Sequence, residues 1–126
     1  MKAVLLVALG GAVGSVARHL LSGWVLHHSV EWRFPLGTFM VNVIGCFVVG
    51  FLGGLVVKHD FFSLEVRVLL FTGIAGGFTT FSAFGLETFY LLRREEFLVA
   101  GGYVVSSVVI GLLVLWLGFF LVSARG

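Results

Sequence analysis

The chain has 126 residues, of which 60% are hydrophobic and 11% charged, and its mean hydropathy is +1.15. Soluble domains are roughly 45–50% apolar and about 25% charged, and one this small buries only part of the surface its chain exposes. A soluble enzyme and a disordered chain are therefore excluded, and a net charge of +2 is too small for the electrostatic footprint of a nucleic-acid binder. What remains is an integral membrane protein.

Four apolar stretches, at about 3–26, 36–57, 66–92 and 97–122, are each long enough to cross about 30 Å of hydrocarbon at 1.5 Å per residue. The links at 27–35, 58–65 and 93–96 are brief and polar. Short links join antiparallel neighbours, which predicts one all-α membrane domain, a four-helix bundle spanning 1–126 with both termini on one side.

The first stretch opens on Lys2 and an apolar run, like a secretory leader. The apolar pattern continues past Arg18 through Leu20, Leu21, Trp24 and Val25, so it reads as a retained span. Gly10 and Gly14 have the spacing that lets helix backbones approach closely in lipid, as do Gly50 with Gly54 and Gly73 with Gly77. Arg18 lies deep in this span, with Gly14 and Ser22 on the same face. It snorkels to the interface, binds backbone carbonyls or a carboxylate, or forms an anion-attracting vestibule.

In the second stretch Asn42 stands seven residues in, with Thr38 one turn before it. A buried asparagine glues helices together, or its amide donates to a dehydrated anion. Cys46, the lone cysteine, packs as a small hydrophobe. The histidines His19, His27, His28 and His59 have no ligand spacing with it.

The third stretch contains Gly76-Gly77-Phe78-Thr79-Thr80-Phe81-Ser82-Ala83-Phe84. Adjacent glycines, β-branched threonines and a serine argue against a smooth helix at mid-membrane. Backbone freed there is tolerated only when buried in protein or lining a cavity. Its carbonyls suit a hard cation such as Na⁺, and nearby donors suit an anion. Phe81 and Phe84 share a helix face and interleave with Ser82, and the positive edge of a phenyl ring attracts a small anion. Glu87 lies further on, with Arg18 or a loop arginine as alternative partners. In the fourth stretch Tyr103, Ser107 and Gly111 form one stripe.

Lys2, Lys58, Arg67 and Arg125 fall on one side of the bundle; Arg33, Arg93 and Arg94 fall on the other. That near-balance removes most of the positive-inside bias, so either one orientation wins by a small margin or the chain inserts in both orientations and copies pair head-to-tail.

Three ordered motifs, Gly10-Gly11-Ala12-Val13-Gly14-Ser15-Val16-Ala17-Arg18, then Pro35-Leu36-Gly37-Thr38 with Val41-Asn42 and Gly45, then Gly73 with Gly76 to Phe84, resemble the Fluc (CrcB) fluoride channels over essentially the whole chain. The resemblance implies an antiparallel, dual-topology homodimer of four-helix subunits with a broken third helix, in a bacterial inner membrane. It implies passive export of toxic fluoride along a pathway of Asn42, Phe81, Phe84, Ser82, Thr38, Tyr103 and Ser107, with Arg18 at the vestibule. It also implies a structural Na⁺ at the dimer centre, held by the carbonyls of Gly76 and Thr79 from each copy. Ala83 and Gly85 depart from the family pattern, which admits Thr and Ser there, and leave Ser82 the only hydroxyl in 82–85.

Two other readings share the length and helix number. A dual-topology multidrug/proton antiporter needs a mid-membrane carboxylate, and the first span has no Asp or Glu. A purely structural membrane subunit leaves the clustered Asn42, Thr79, Thr80 and Ser82 without a role. No nucleotide-binding loop or nucleophile–base arrangement is present to support catalysis.

Overall fold

A computed structural model describes residues 1–28, 34–59 and 62–123. Arg33 and Arg125, two of the charges weighed above, lie outside these residues. The elements are α1 (Lys2–His28), α2 (Leu36–His59), α3 (Leu64–Arg67), a π-helical segment (Val68–Ala75), α4 (Gly76–Phe78), α5 (Ser82–Arg93) and α6 (Phe97–Ser123). Together they give four spans long and apolar enough to cross a membrane, the third running over Leu64–Arg93. The fold is that of an all-helical, multi-pass membrane protein.

Its core is the reverse of a soluble one. Val41, Leu91 and Tyr103 are fully buried, while Leu20, Trp24, Leu112 and Trp116 are each about 60% exposed or more. Lipid is as apolar as leucine, so helix association depends on close backbone packing rather than on hiding apolar surface. The small residues serve that purpose. α1 closes on the π segment and α4, and α2 makes its most extensive pairing with α6. A methyl group added to Gly10 would lie 2.9 Å from the Cα of Gly73. One added to Gly14 would strike the carbonyl of Ile74, and one on Gly50 the carbonyl of Leu115.

Helix ends are closed by side chains and turns. The ammonium of Lys58 donates to the carbonyls of Val122 and Ser123 at 3.0 and 2.9 Å, capping α6 with the charge its dipole favours. Ser63 caps α3 by accepting from the N–H of Val66. Between α5 and α6 the chain turns through Glu95, at φ 61°. The N–H of Glu96 bonds to the carbonyl of Leu91 at 2.9 Å, and that of Glu95 to Leu92 at 3.0 Å. This is a Schellman closure with glutamate at the left-handed position that glycine normally fills.

Two outcomes follow from this packing. Gly50→Val should cost at least about 1–3 kcal/mol by wedging α2 from α6, whereas Gly23→Ala, with open space around it, should be near neutral. Thermal unfolding of the purified protein in detergent measures both, and a silent Gly50→Val removes the close-packing account. Glu95→Gly should raise stability by about 1 kcal/mol by relieving the left-handed backbone. A lowered midpoint in the same assay contradicts that assignment.

Candidate functional site

The helical ladder stops at Phe78 and resumes at Ser82. Thr79 is extended, at φ −83° and ψ 156°. Its N–H and its hydroxyl both donate to the carbonyl of Ala75, each at 2.9 Å. The next residue turns outward from the ladder. The N–H of Thr80 donates to Asn42 Oδ1 at 3.0 Å, and Asn42 Nδ2 donates to the Thr80 carbonyl at 3.0 Å. One side-chain amide thus satisfies both backbone groups of Thr80, and its orientation is fixed because one partner only donates and the other only accepts. The Thr80 hydroxyl accepts from the N–H of Ala83 at 3.2 Å and starts α5 from two residues upstream.

This arrangement frees an acceptor. In a continuous helix the N–H of Thr80 would close onto the carbonyl of Gly76, four residues back, and here it is committed to Asn42. Gly76 is exposed and Thr79 partly so. Gly45 on α2 makes room for the methyl group of Thr79.

Beside the interruption lies a cavity of about 370 Å³ lined by Asn42, Thr79, Thr80, Phe81, Phe84 and Ser107, among others. The Phe81 and Phe84 ring centroids are 5.7 Å apart, and Phe81 is 83% exposed. The hydroxyl oxygen of Ser107 is buried without a hydrogen-bond partner and belongs to this cavity wall. Cys46 lines the same wall.

A second cavity, of about 310 Å³, is lined by Arg18, His19, Ser22, Thr38, Thr80 and Glu87, with Ser15, Val41 and Ala83. Thr80 borders both cavities. Glu87 lies between helices: Thr38 Oγ1 donates to its Oε1 at 2.7 Å, and the Tyr103 hydroxyl to its Oε2 at 2.9 Å. The Tyr103 ring packs 5.0 Å from Phe84.

The residues singled out from sequence thus separate into groups. Asn42, Phe81, Phe84, Ser107 and Thr79 meet at the first cavity, Arg18 and Thr38 at the second. Tyr103 borders neither and stands behind Phe84, tied to Glu87. Ser82 is exposed, with its hydroxyl 3.4 Å from that of Thr80. Among the described residues Glu87 takes hydroxyl donors and is not paired with Arg18; the loop residue Arg33 lies outside the described residues. Thr80 was the residue given no individual role, although it sits inside the motif, because a backbone partnership leaves no mark on residue type.

The profile of the family described as "CrcB-like protein, Camphor Resistance (CrcB)" matches residues 5–119. The chain is 62% identical over 123 residues to the "Fluoride-specific ion channel FluC" of Methylobacillus flagellatus, a match covering 98% of this chain and 96% of that relative. Proteins of the same name from Rhizobium etli and Helicobacter pylori are each 44% identical, over 98% and 90% of this chain and 98% and 88% of their own lengths. The chain belongs to the CrcB family.

Proposed function

We propose that this chain is a fluoride-selective channel that passively exports fluoride from the bacterial cytoplasm and so reduces fluoride toxicity. The observation that carries the reading is identity along nearly the whole chain to relatives named fluoride-specific channels. Those relatives make it a transport protein rather than an enzyme.

Fluoride holds its water tightly, so a pathway must replace that water with donors while binding weakly enough for exit. The cavity beside the interruption supplies such donors. Asn42 commits one amide hydrogen to Thr80 and retains a second. Among the described residues no acceptor takes the hydroxyl hydrogen of Ser107. The edges of Phe81 and Phe84 add weak positive potential without a hydrogen-bond partner to displace. The hydroxyls of Thr38 and Tyr103 are already donated to Glu87, so an anion reaching them competes with a carboxylate. Arg18 borders the neighbouring cavity and raises anion concentration near Thr38 and Thr80.

The assembly in this reading is an antiparallel, dual-topology homodimer in the inner membrane, with two copies interrupted at the same residues. The near-balance of basic residues on the two sides supports it. The Gly76 and Thr79 carbonyls would hold a structural Na⁺ between the copies. Their fit rests on Gly76, an exposed residue whose carbonyl is relieved of its helical donor, since hard oxygen acceptors are what such a cation requires. When bound, the ion supplies fixed positive charge that offsets anion repulsion and ties the two interruptions together. A dual-topology antiporter is disfavoured because the third span's two carboxylates are both engaged, Glu87 by hydroxyls on both oxygens and Glu65 by Lys2 at the surface.

Two experiments test this. In liposomes read with a fluoride electrode, the wild type should release fluoride and retain chloride. Asn42→Ala and Phe81→Ile should each lower the rate by about tenfold to a hundredfold, the value of one or two lost contacts to a charged ion. Equal release of both halides by the wild type, or unchanged rates in both variants, removes the pathway. Separately, a C-terminal reporter should be accessible from both sides of the membrane in cells, and one-sided labelling rules out dual topology.

A further inference from the structure

The second cavity does not end at Arg18. It shares Ser22, Thr38 and Glu87 with a third, of about 300 Å³, whose opposite wall includes Tyr90 and Arg94. Those last two residues also line an outermost hollow of about 350 Å³, together with Arg93. Shared walls therefore connect Arg94 at the end of α5 to Thr38 and Glu87, then to Arg18, and then to Thr80 beside Asn42 and Phe84.

The charges along this line are not neutral to an anion. Glu87 is the carboxylate on it, and among the described residues no guanidinium is paired with it. Among the described residues the ion pair is Lys2 with Glu65, at 3.1 Å on the surface. The side chains of Arg18 and Arg94 have neither an ion pair nor a hydrogen bond there. Arg18 borders the second cavity and Arg94 the third, and Glu87 lines both. Arg94 is held by the backbone as well: it is the last residue before the left-handed turn at Glu95, at φ −84° and ψ 7°. Arg93 and Arg94 both stand where the dipole of α5 favours cations, so a structural role is open to either. Arg94 differs in bordering the hollow that reaches Glu87, whereas Arg93 borders only the outermost one.

We infer that Arg94 is an outer anion-gathering residue, which raises the concentration of fluoride at the mouth of the Thr38–Glu87 hollow. The inference rests on the fluoride-channel reading above. The size of the effect follows from one exposed unit charge in water. At about 7 Å it enriches a monovalent anion about two- to threefold, and the enrichment decays over about 10 Å at 0.1 M salt.

The test is fluoride efflux from liposomes at low ionic strength, over a range of fluoride concentrations. Arg94→Gln should lower the rate about two- to threefold at low fluoride and leave the saturated rate unchanged. Arg94→Lys should restore the wild-type rate, and Arg94→Glu should lower it further. Adding a salt of a large impermeant anion should erase the differences. Arg93 borders only the outermost hollow, so Arg93→Gln should lower the rate less than Arg94→Gln. The inference is overturned if Arg94→Gln equals the wild type at low fluoride and low salt, if Arg94→Lys is as slow as Arg94→Gln, or if Arg93→Gln is equally slow. A wild type that moves no fluoride overturns the channel reading itself, whereas a conducting wild type with an inert Arg94 overturns only this inference.

Discussion

A single side-chain amide determines whether the third span is able to leave its helical ladder. Unpaired backbone N–H and C=O groups cost several kcal/mol each in hydrocarbon, so an interruption at membrane depth needs substitutes for both. Asn42 provides them at Thr80, one bond in each direction at 3.0 Å. No other residue type of that length does so. Aspartate accepts but does not donate when ionised, leucine does neither, and glutamine is one methylene too long for the same position on α2. The two readings left open for Asn42 from sequence, glue and donor, are compatible because an amide has more hydrogens than Thr80 uses.

That pairing requires two backbones to come close, and small residues on both sides allow it. Gly14 admits the carbonyl of Ile74 and the N–H of Phe78 against α1, just before the interruption. Gly45 admits the Thr79 side chain against α2, just after it starts. The interruption is therefore clamped from two helices. The π-helical segment ahead of it, Val68–Ala75, places Gly73 against Gly10 in the same clamp. Segments of this kind recur where a helix must offset its register near a functional feature.

The four spans were legible because the bilayer imposes a length and a composition that soluble folds do not. The glycine pairs were legible for a related reason: without a hydrophobic drive between helices, spacing of small residues is the signal that remains. What stayed hidden depends on pairs far apart in sequence. Thr38, Glu87 and Tyr103 come from three helices and meet through hydroxyl–carboxylate bonds that no local periodicity announces. The motif singles out Ser82 by its residue type, whereas the pairing with Asn42 is made by the backbone of Thr80, which no residue type announces. The π segment was equally silent, since nothing in its apolar sequence distinguishes a five-residue hydrogen-bond step from a four-residue one.

Fourteen phenylalanines in 126 residues make ring count useless for finding a pathway. Position separates two of them. Phe84 is partly buried against the ring of Tyr103, which is itself tied to Glu87 through its hydroxyl. Phe81, three residues earlier, is 83% exposed although it borders the same cavity. In one copy, then, the cavity has a fixed aromatic wall and a projecting one. A ring that projects from a cavity rim in lipid gains nothing over any other apolar residue, because hydrocarbon already surrounds it. It gains a role when a second protein surface meets that rim, so that its edge faces polar atoms instead of acyl chains. The antiparallel pairing proposed above, with a partner interrupted at the same residues, would provide such a surface.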